Sequence, residues 1–344
     1  MSLPYSPSVP PEEPEAALEA SLALVAGRRG VPMLVSLRDA GQRYEPEAVA
    51  PAPEEDGADP LLAAEFDEFH ARLAPAAGGG EAGVIAALQA LAYRHLGPGR
   101  AGGSGGTGAA RTLPTGQPRV GAADTAADLR AGRYLRLVNY HNTPASWKDE
   151  LVEELRGYAR DFATVGVADL EHFVTTGRWP GGRPGLLPVF YEGYRDNYEI
   201  AAAACEEAGV IGWFFVCTQF VDTPVAEQYD FAPAHRIKLV DENRPGERLA
   251  MTWEEIADLH RRGHVVTPHT ASHALARTTL GAEDIAREVS EPKRLMDAVT
   301  GGSAPATAWL EGTNWSGESA ADRAVAASGY RYVFGNTMVQ RLPR

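Results

Sequence analysis

Lysine, cysteine and long apolar runs are scarce in this chain of 344 residues. Only three lysines occur, Lys148, Lys238 and Lys293, and the formal net charge is −14. Nucleic acids and anionic membrane surfaces bind basic surfaces, so this charge balance argues against both as partners. The two cysteines, Cys205 and Cys217, lie in apolar or alanine-rich stretches. They indicate small buried side chains and exclude a disulfide framework.

No apolar run approaches the ~20 residues that a membrane-spanning helix needs, so we expect no membrane span. The first twenty residues are rich in proline and glutamate and lack the basic start and apolar core of a signal peptide. These absences favour a cytoplasmic location. The abundance of alanine, glycine and proline is typical of bacterial genomes of high GC content. The sequence does not indicate an oligomeric state.

The composition that remains is that of a globular protein, with 44% hydrophobic residues and six tryptophans. Residues 98–125 are dense in glycine, serine, threonine and proline, which is typical of a linker. We therefore divide the chain into a mainly helical N-terminal region of unknown role (1–97), this linker, and a second domain (126–344). Within the N-terminal region, Val31–Leu37 is compatible with a strand, and packing against the second domain is the expected role.

Short apolar strands and amphipathic helices alternate through the second domain. This pattern predicts an α/β fold with a parallel sheet covered by helices, either open or closed into a barrel. The polar motifs all follow strand ends, which is the edge where sites form in such folds. Predicted strands cover 134–140, 186–190, 211–216, 265–266, 307–310 and 331–334, and predicted helices cover 146–160, 198–208, 253–262, 282–299 and 320–328.

Two histidines four residues apart, His269 and His273, follow a short strand that Pro268 ends. If the turn after the strand is helical, both imidazoles lie on one face and reach a single metal ion. A histidine pair alone is more often incidental than a ligand set, so this interpretation depends on what surrounds it.

The order of motifs from about Leu135 to the end resembles the polysaccharide deacetylase family, the chitooligosaccharide deacetylase homology domain. Val138–His141 resembles the family's opening strand, and Val189–Tyr198 is similar to its first motif, Thr-Phe-Asp-Asp-Gly-Tyr-x-x-Asn-Tyr. His269–His273 is similar to the second motif, His-Ser/Thr-x-x-His, and Ala308–Asn314 stands at the place of the third. The resemblance implies a distorted (β/α) barrel with a mainly helical N-terminal extension.

In this family a metal ion assists removal of an acyl group from nitrogen, usually acetyl from an amino sugar. The metal is held by the second aspartate of the first motif and both histidines of the second. Carried over, this implies Glu192, His269 and His273 as ligands of a divalent metal, with zinc expected. Glu192 replaces an aspartate, but it remains a hard carboxylate ligand. The alternative for Glu192 is a solvated loop acid.

The family's remaining catalytic groups are missing here. Tyr191 replaces the aspartate that acts as general base, and a phenol with a pKa near ~10 is a poor base at neutral pH. The third motif lacks its arginine, and no Leu-x-His follows Tyr330. Glu311 or His141 could compensate as titratable groups, and Tyr191 could donate a hydrogen bond to a developing oxyanion. Alternatively, Glu311 is exposed, His141 is a satisfied strand-end histidine, and Tyr191 plugs an emptied pocket.

These residues predict a divergent, metal-dependent hydrolase of a non-peptide C–N (amide) bond, acting on a small N-acylated or amino-sugar-containing compound. Candidate substrate contacts are Tyr194, Trp309 and Asn314, where the tryptophan either stacks on a sugar or lies in the core. Arg195 and Asp196 are expected to brace the first-motif loop through ion pairs. The alternatives are a catalytically silent protein of this fold that binds a saccharide or partner, or an enzyme of altered chemistry on the same scaffold.

Overall fold

The computed structural model describes residues 30–38, 135–279, 281–312, 315, 317, 319–335 and 338–342. The predicted N-terminal helices and the linker lie outside these residues, so the proposed division of the chain stays a prediction. Among the described helices, none has the length and apolar character that crossing a membrane requires.

Nine strands lie in the described part of the chain and form one sheet in the order β6-β5-β4-β2-β1-β9-β8-β7, with β3 also pairing with β4. Neighbouring strands are parallel except for β9, which is antiparallel to both β1 and β8. The strands are β1 (Gly30–Arg38), β2 (Leu135–Tyr140), β3 (Ala163–Thr164), β4 (Gly185–Phe190), β5 (Trp213–Val216), β6 (Val265–Pro268), β7 (Ala306–Ala308), β8 (Tyr332–Phe334) and β9 (Met338–Arg341).

Helices connect and cover these strands, which confirms the predicted α/β class. The helices are α1 (Lys148–Asp161), α2 (Val167–Thr176), α3 (Ala202–Ala208), α4 (Thr218–Asp222), α5 (Val225–Ala234), α6 (Trp253–Arg261), α7 (Ala282–Ile285), α8 (Glu291–Thr300) and α9 (Ala320–Ala327). Two π-helical turns adjoin them, Asn197–Ala201 before α3 and Ala286–Ser290 between α7 and α8.

Strand alternation sorts the apolar side chains into two buried layers. Residues on one face of β2, β4 and β5, such as Leu137, Val189 and Phe215, meet in a cluster that α2 covers at the N-terminal ends of the strands. Residues on the other face, such as Val138 and Phe214, pack against α1, α6 and α8. The N-terminal strand ends are therefore covered, and the polar motifs gather at the opposite end.

The two outer strands of the sheet, β6 and β7, lie side by side, and side chains join them. The buried Thr267 hydroxyl donates to the Ala306 carbonyl, and the Ala306 N–H donates back to that hydroxyl at 3.2 Å. The Thr307 hydroxyl donates to the Pro268 carbonyl, also at 3.2 Å. The sheet thus curves back on itself as a distorted (β/α) barrel, and we call this side-chain junction the seam.

Most predicted elements are present within a residue or two, including β1, which the apolar stretch near Val31 indicated. Gly209 ends α3 in the left-handed conformation, with φ of 71°, as a C-terminal glycine is expected to do. Helices α2, α4 and α5 and strands β3 and β9 were not predicted. Helix α4 and strands β3 and β9 have five residues or fewer, so their patterns are too brief to distinguish from loops, and α5 contains a proline, Pro233.

Removing the seam hydroxyl should destabilise the barrel. In Thr267→Val, the buried Ala306 N–H faces a methyl group, which should lower the free energy of unfolding by about 1–3 kcal/mol. Urea denaturation measures the change. Thr175→Val is the control, because that hydroxyl donates to the Glu171 carbonyl on an exposed turn of α2, and we expect a change within about 0.5 kcal/mol. Equal stability of the two variants would contradict a seam held by Thr267.

Candidate metal centre

Three predicted ligands meet at the C-terminal ends of the strands. Glu192 follows β4, and His269 and His273 follow β6; all three side chains are buried. One potential ligand atom from each lies within 4.8 Å of the others. His273 Nε2 is 3.4 Å from Glu192 Oε1. Two strands that are separated by β5 thus deliver a two-histidine, one-carboxylate set to one point.

Backbone carbonyls hold both imidazoles by their other ring nitrogen. His269 Nδ1 is 2.8 Å from the Ala308 carbonyl, and His273 Nδ1 is 2.9 Å from the His235 carbonyl. A carbonyl only accepts, so each Nδ1 carries the proton and donates, and each Nε2 keeps its lone pair for a metal. The first of these bonds also crosses the seam.

Burial keeps both histidines neutral. It lowers the pKa of His269 to about 4, against the smaller opposing effect of the hydrogen bond to Ala308. Burial also lowers the pKa of His273 well below its usual value, with the neighbouring His269 acting in the same direction. A neutral imidazole is the form that binds metal, so the site is ready for an ion at neutral pH without first losing protons.

The ligand loops are strained rather than helical. Glu192, Thr270 and His273 have φ of 66°, 62° and 61°, in the left-handed region that residues other than glycine rarely adopt. The turn after β6 is therefore not the helical turn under which spacing alone would place both imidazoles on one face. The imidazoles of His269 and His273 converge, with ring centroids 4.7 Å apart, because the chain reverses through a non-helical turn. Strain of this kind is common at functional sites.

Gly193 continues the reversal after Glu192, with φ of 86°. A Cβ atom at this position would lie 2.8 Å from Val216 Cγ1, closer than van der Waals contact allows. Only glycine fits both the conformation and the space. This is the physical reason for the Glu-Gly pair in the first motif.

The junction between β5 and α4 ties both ligand loops together. The Cys217 N–H donates to the Glu192 carbonyl at 3.1 Å. The next two N–H groups, of Thr218 and Gln219, donate to the carbonyls of Thr270 and Ala271 at 3.3 and 2.9 Å. These are N–H groups that the start of a helix leaves without intrahelical partners. One short segment therefore sets the distance between the carboxylate and the histidines.

The donor set fits a divalent metal such as zinc. Two neutral imidazoles and a carboxylate are a known ligand set of catalytic zinc sites, which leave a fourth position open. Ligand atoms around a tetrahedral ion at ordinary bond lengths are roughly 3.4 Å apart, which the His273–Glu192 distance already satisfies. Among the described residues, this is the only cluster of three or more histidine, cysteine and acidic side chains with such spacing.

Two further predicted residues border the centre. His141 Nε2 is 3.8 Å from Glu192 Oε1, and the imidazole is 18% exposed. The Tyr191 ring lies 5.0 Å from the His269 ring and 6.2 Å from the His141 ring, centroid to centroid. Burial raises the pKa of the Tyr191 phenol above its usual value, and the negative charge of Glu192 adds a smaller effect in the same direction. Tyr191 therefore keeps its proton and is a hydrogen-bond donor rather than a base.

Two of the three candidate substrate contacts lie in the described part of the chain, and both have buried side chains. Tyr194 is fully buried, and its hydroxyl donates to the Lys238 carbonyl at 2.6 Å. Trp309 is 2% exposed and packs in an apolar cluster with Val325. Asn314 and the side chain of Glu311 lie outside the described residues. The substrate contacts and the role of Glu311 stay predictions.

Asp196 braces the first-motif loop by hydrogen bonds rather than ion pairs. It accepts from Asn142 Nδ2 at 3.1 Å and from the Thr143 hydroxyl at 3.4 Å, while Arg195 pairs with Glu199. Burial raises the pKa of Asp196 to about 6, although these hydrogen bonds oppose the shift. Sequence reasoning did not predict the contacts of Asn142 and Thr143, and their position directly after β2 was the available signal.

A second residue absent from the predictions is Glu288, a buried acid in the π-helical turn before α8. Its carboxylate accepts from the backbone of the loop between the two histidines. An acid at an inward-facing position of the predicted helix 282–299 was the only sequence signal for it.

One comparison with known protein families found a match that spans this part of the chain. Residues 184–333, which include both ligand loops, match the family model described as polysaccharide deacetylase. A comparison with curated proteins found no match.

Solved structures that are similar to this chain include a deacetylase, PplD, from Streptococcus pyogenes in complex with acetate, IcaB from Ammonifex degensii, and the BpsB deacetylase domain from Bordetella bronchiseptica. Their sequence identities are 12, 19 and 17%, and the TM-scores are 0.43, 0.44 and 0.41. The matches cover 56, 60 and 59% of this chain and 80, 86 and 88% of the other chains. Likenesses of this size add nothing to the family match.

The partly buried Asp196 should make stability depend on pH. Its folded pKa of about 6 is raised, so its contribution is fully present below the unfolded pKa near ~4 and is lost as pH rises through 6. Between pH 4 and 7.5, wild type should lose up to about 3 kcal/mol relative to Asp196→Asn, measured by urea denaturation. Asp149→Asn corrects for loss of one exposed carboxylate. A constant difference between wild type and Asp196→Asn would contradict the raised pKa.

Proposed function

Because residues 184–333 carry a polysaccharide deacetylase domain, we propose that this protein is a divergent, metal-dependent amide hydrolase. The family hydrolyses carbon–nitrogen bonds other than peptide bonds. The proposed substrate is a small N-acylated or amino-sugar-containing compound, and the proposed location is the cytoplasm. Water adds across the amide: the C–N bond breaks, hydroxyl goes to the acyl carbon and a proton to the nitrogen, which gives a carboxylic acid and an amine. At neutral pH the acid then gives its proton to the amine, which leaves a carboxylate and an ammonium group.

The observation that carries the proposal is the buried ligand set of Glu192, His269 and His273. Zinc or a similar divalent ion held there would polarise the amide carbonyl and make water more acidic. The chain itself keeps both imidazoles neutral and aimed by their Nδ1 hydrogen bonds. The strained loops at Glu192 and His273 support the same conclusion, because strain costs stability that a purely structural loop has no reason to lose.

Tyr191 is proposed to act on the carbonyl oxygen of the substrate. Its ring borders His269, and its phenol keeps a proton, so it is suited to donate a hydrogen bond as negative charge develops on that oxygen. Donors of this kind typically contribute a factor of about 10²–10³ to the rate. The position that holds a base in the family would then hold an electrophilic group.

His141 is proposed to move the proton. It is the partly exposed imidazole beside Glu192, so it borders both the ligand set and solvent. An imidazole exchanges protons near neutral pH, and it can therefore accept one from water and deliver one to the leaving nitrogen.

The second candidate function is a silent saccharide-binding protein. Tyr191 favours it in one respect, because its ring occupies the place of the family's base.

Metal content tests the ligand set directly. We expect near one equivalent of zinc or a similar ion in the purified protein by elemental analysis. His269→Ala and Glu192→Ala should lose it, because two remaining ligands hold an ion weakly. His172→Ala removes an exposed histidine of α2 and should retain the ion. Absence of metal in the wild type, even after zinc is added back, would overturn the metal-dependent function.

Hydrolysis tests the roles of the residues. With N-acetylglucosamine, its oligomers and small N-acetyl compounds, we expect release of acetate and free amine. Tyr191→Phe should lower kcat by about 10²-fold with little change in KM, because its hydrogen bond strengthens only as charge develops. Tyr229→Phe, on α5, is the control. If the wild type is inactive and Tyr191→Asp creates activity, the silent-binding alternative is correct.

A further inference from the structure

Glu288 has no role in the proposed chemistry, yet its side chain is directed at the histidine loop. It is 3% exposed, and one carboxylate oxygen accepts from the N–H groups of Ala271 and Ser272 at 3.1 and 2.9 Å. The other oxygen accepts from the Ser272 hydroxyl at 2.9 Å. These bonds fall on two of the three residues between His269 and His273.

Both carboxylate oxygens of Glu288 accept hydrogen bonds from other residues of the chain. The neighbouring Arg287 Nε donates a fourth hydrogen bond at 2.9 Å, and Arg287 is itself held by Asp284 at 2.6 Å. A carboxylate with four donors has its lone pairs occupied, which offsets the cost of burying the charge. Glu288 is therefore directed to the backbone of the loop rather than to a ligand or to the metal.

The helix is locally altered at Glu288. Residues Ala286–Ser290 form a π-helical turn between α7 and α8. A π-turn contains one more residue than an α-turn, so it changes which side chain faces inward, and such turns occur frequently at functional sites. Here the altered turn includes the acid that contacts the loop.

The loop needs this contact because its turn is irregular. Its carbonyls, from Thr270 and Ala271, are held by the N–H groups at the start of α4. Its N–H groups, from Ala271 and Ser272, point the other way and are held by Glu288. The two sides together fix a segment in which Thr270 and His273 have positive φ. Without the carboxylate, two backbone N–H groups would lose their partners.

We propose that Glu288 is a positioning residue for the metal centre. It holds the backbone between the two histidines in the strained turn that makes their imidazoles converge. The inference rests on the proposed metal-dependent function and adds to it a residue outside the ligand set.

Metal affinity and ligand geometry test this proposal. Zinc affinity is measured by competition with a chromophoric chelator, and geometry by the visible absorption of the cobalt-substituted protein. We expect Glu288→Ala to weaken zinc binding by about 10- to 100-fold and to change the cobalt spectrum at saturation. Glu288→Gln should stay within about threefold of wild type, because its amide oxygen accepts from both N–H groups and the Ser272 hydroxyl accepts from its NH₂. It loses only the bond from Arg287, whose half-exposed side chain can turn to solvent.

Two further variants keep the test interpretable. Ser272→Ala removes one hydrogen bond and leaves Glu288 in place, so a smaller loss of affinity is expected even if Glu288→Ala fails to fold. Glu291→Gln, an exposed acid on α8 that pairs with Arg294 at 2.8 Å, should leave affinity and spectrum unchanged. Thermal unfolding of the metal-free proteins separates a loss of stability from a loss of geometry.

The outcomes distinguish failure of the proposed metal-dependent function from failure of the positioning role of Glu288. If the wild type binds no metal, the proposed function fails and the role of Glu288 fails with it. If the wild type binds zinc and Glu288→Ala matches it in affinity and cobalt spectrum, only the positioning role is overturned. The same holds if Glu288→Ala lowers the melting temperature but binds zinc with wild-type affinity.

Discussion

The hydrogen bond between His269 Nδ1 and the Ala308 carbonyl links the fold of the barrel to the geometry of the candidate metal centre. It crosses the seam between β6 and β7, where side chains of Thr267 and Thr307 supply the other links. It also fixes the tautomer and direction of an imidazole that is proposed to bind metal. This one contact therefore contributes both to barrel closure and to the orientation of a candidate ligand. A change at the seam should alter the position of the His269 imidazole.

The centre retains a ligand set and alters the groups around it. Two neutral histidines and Glu192 remain within 4.8 Å, while a tyrosine occupies the position of the family's base. A carboxylate and a phenol differ in the step they assist. A carboxylate can take a proton from water, whereas the Tyr191 phenol, with its raised pKa, is proposed to donate to an oxygen that gains charge. His141, which is partly exposed beside Glu192, is the group that we propose transfers the proton.

Two irregular helical turns, each beside one loop of the centre, give the site its support. In the first, the buried Asn197 donates to the His141 carbonyl at 2.7 Å and to the Thr143 hydroxyl at 3.1 Å. In the second, Glu288 holds the loop between the histidines. Between them, the start of α4 binds the carbonyls of both ligand loops. Strained backbone at Glu192 and His273 persists because hydrogen bonds on several sides determine it.

The sequence alone determined the α/β class and the strands that precede the motifs, because these follow from local periodicity. The resemblance of its motifs to the family indicated the three candidate ligands, Glu192, His269 and His273. The sequence also indicated β1, although it could not say that this strand lies between β2 and β9. Only the tertiary structure decided that the histidine turn is not helical, that Tyr194 is buried, that Asp196 accepts hydrogen bonds, and that Glu288 reaches the loop. Each of these depends on contacts between residues far apart in the chain, or on positive φ that neighbouring hydrogen bonds impose, and no local pattern encodes either.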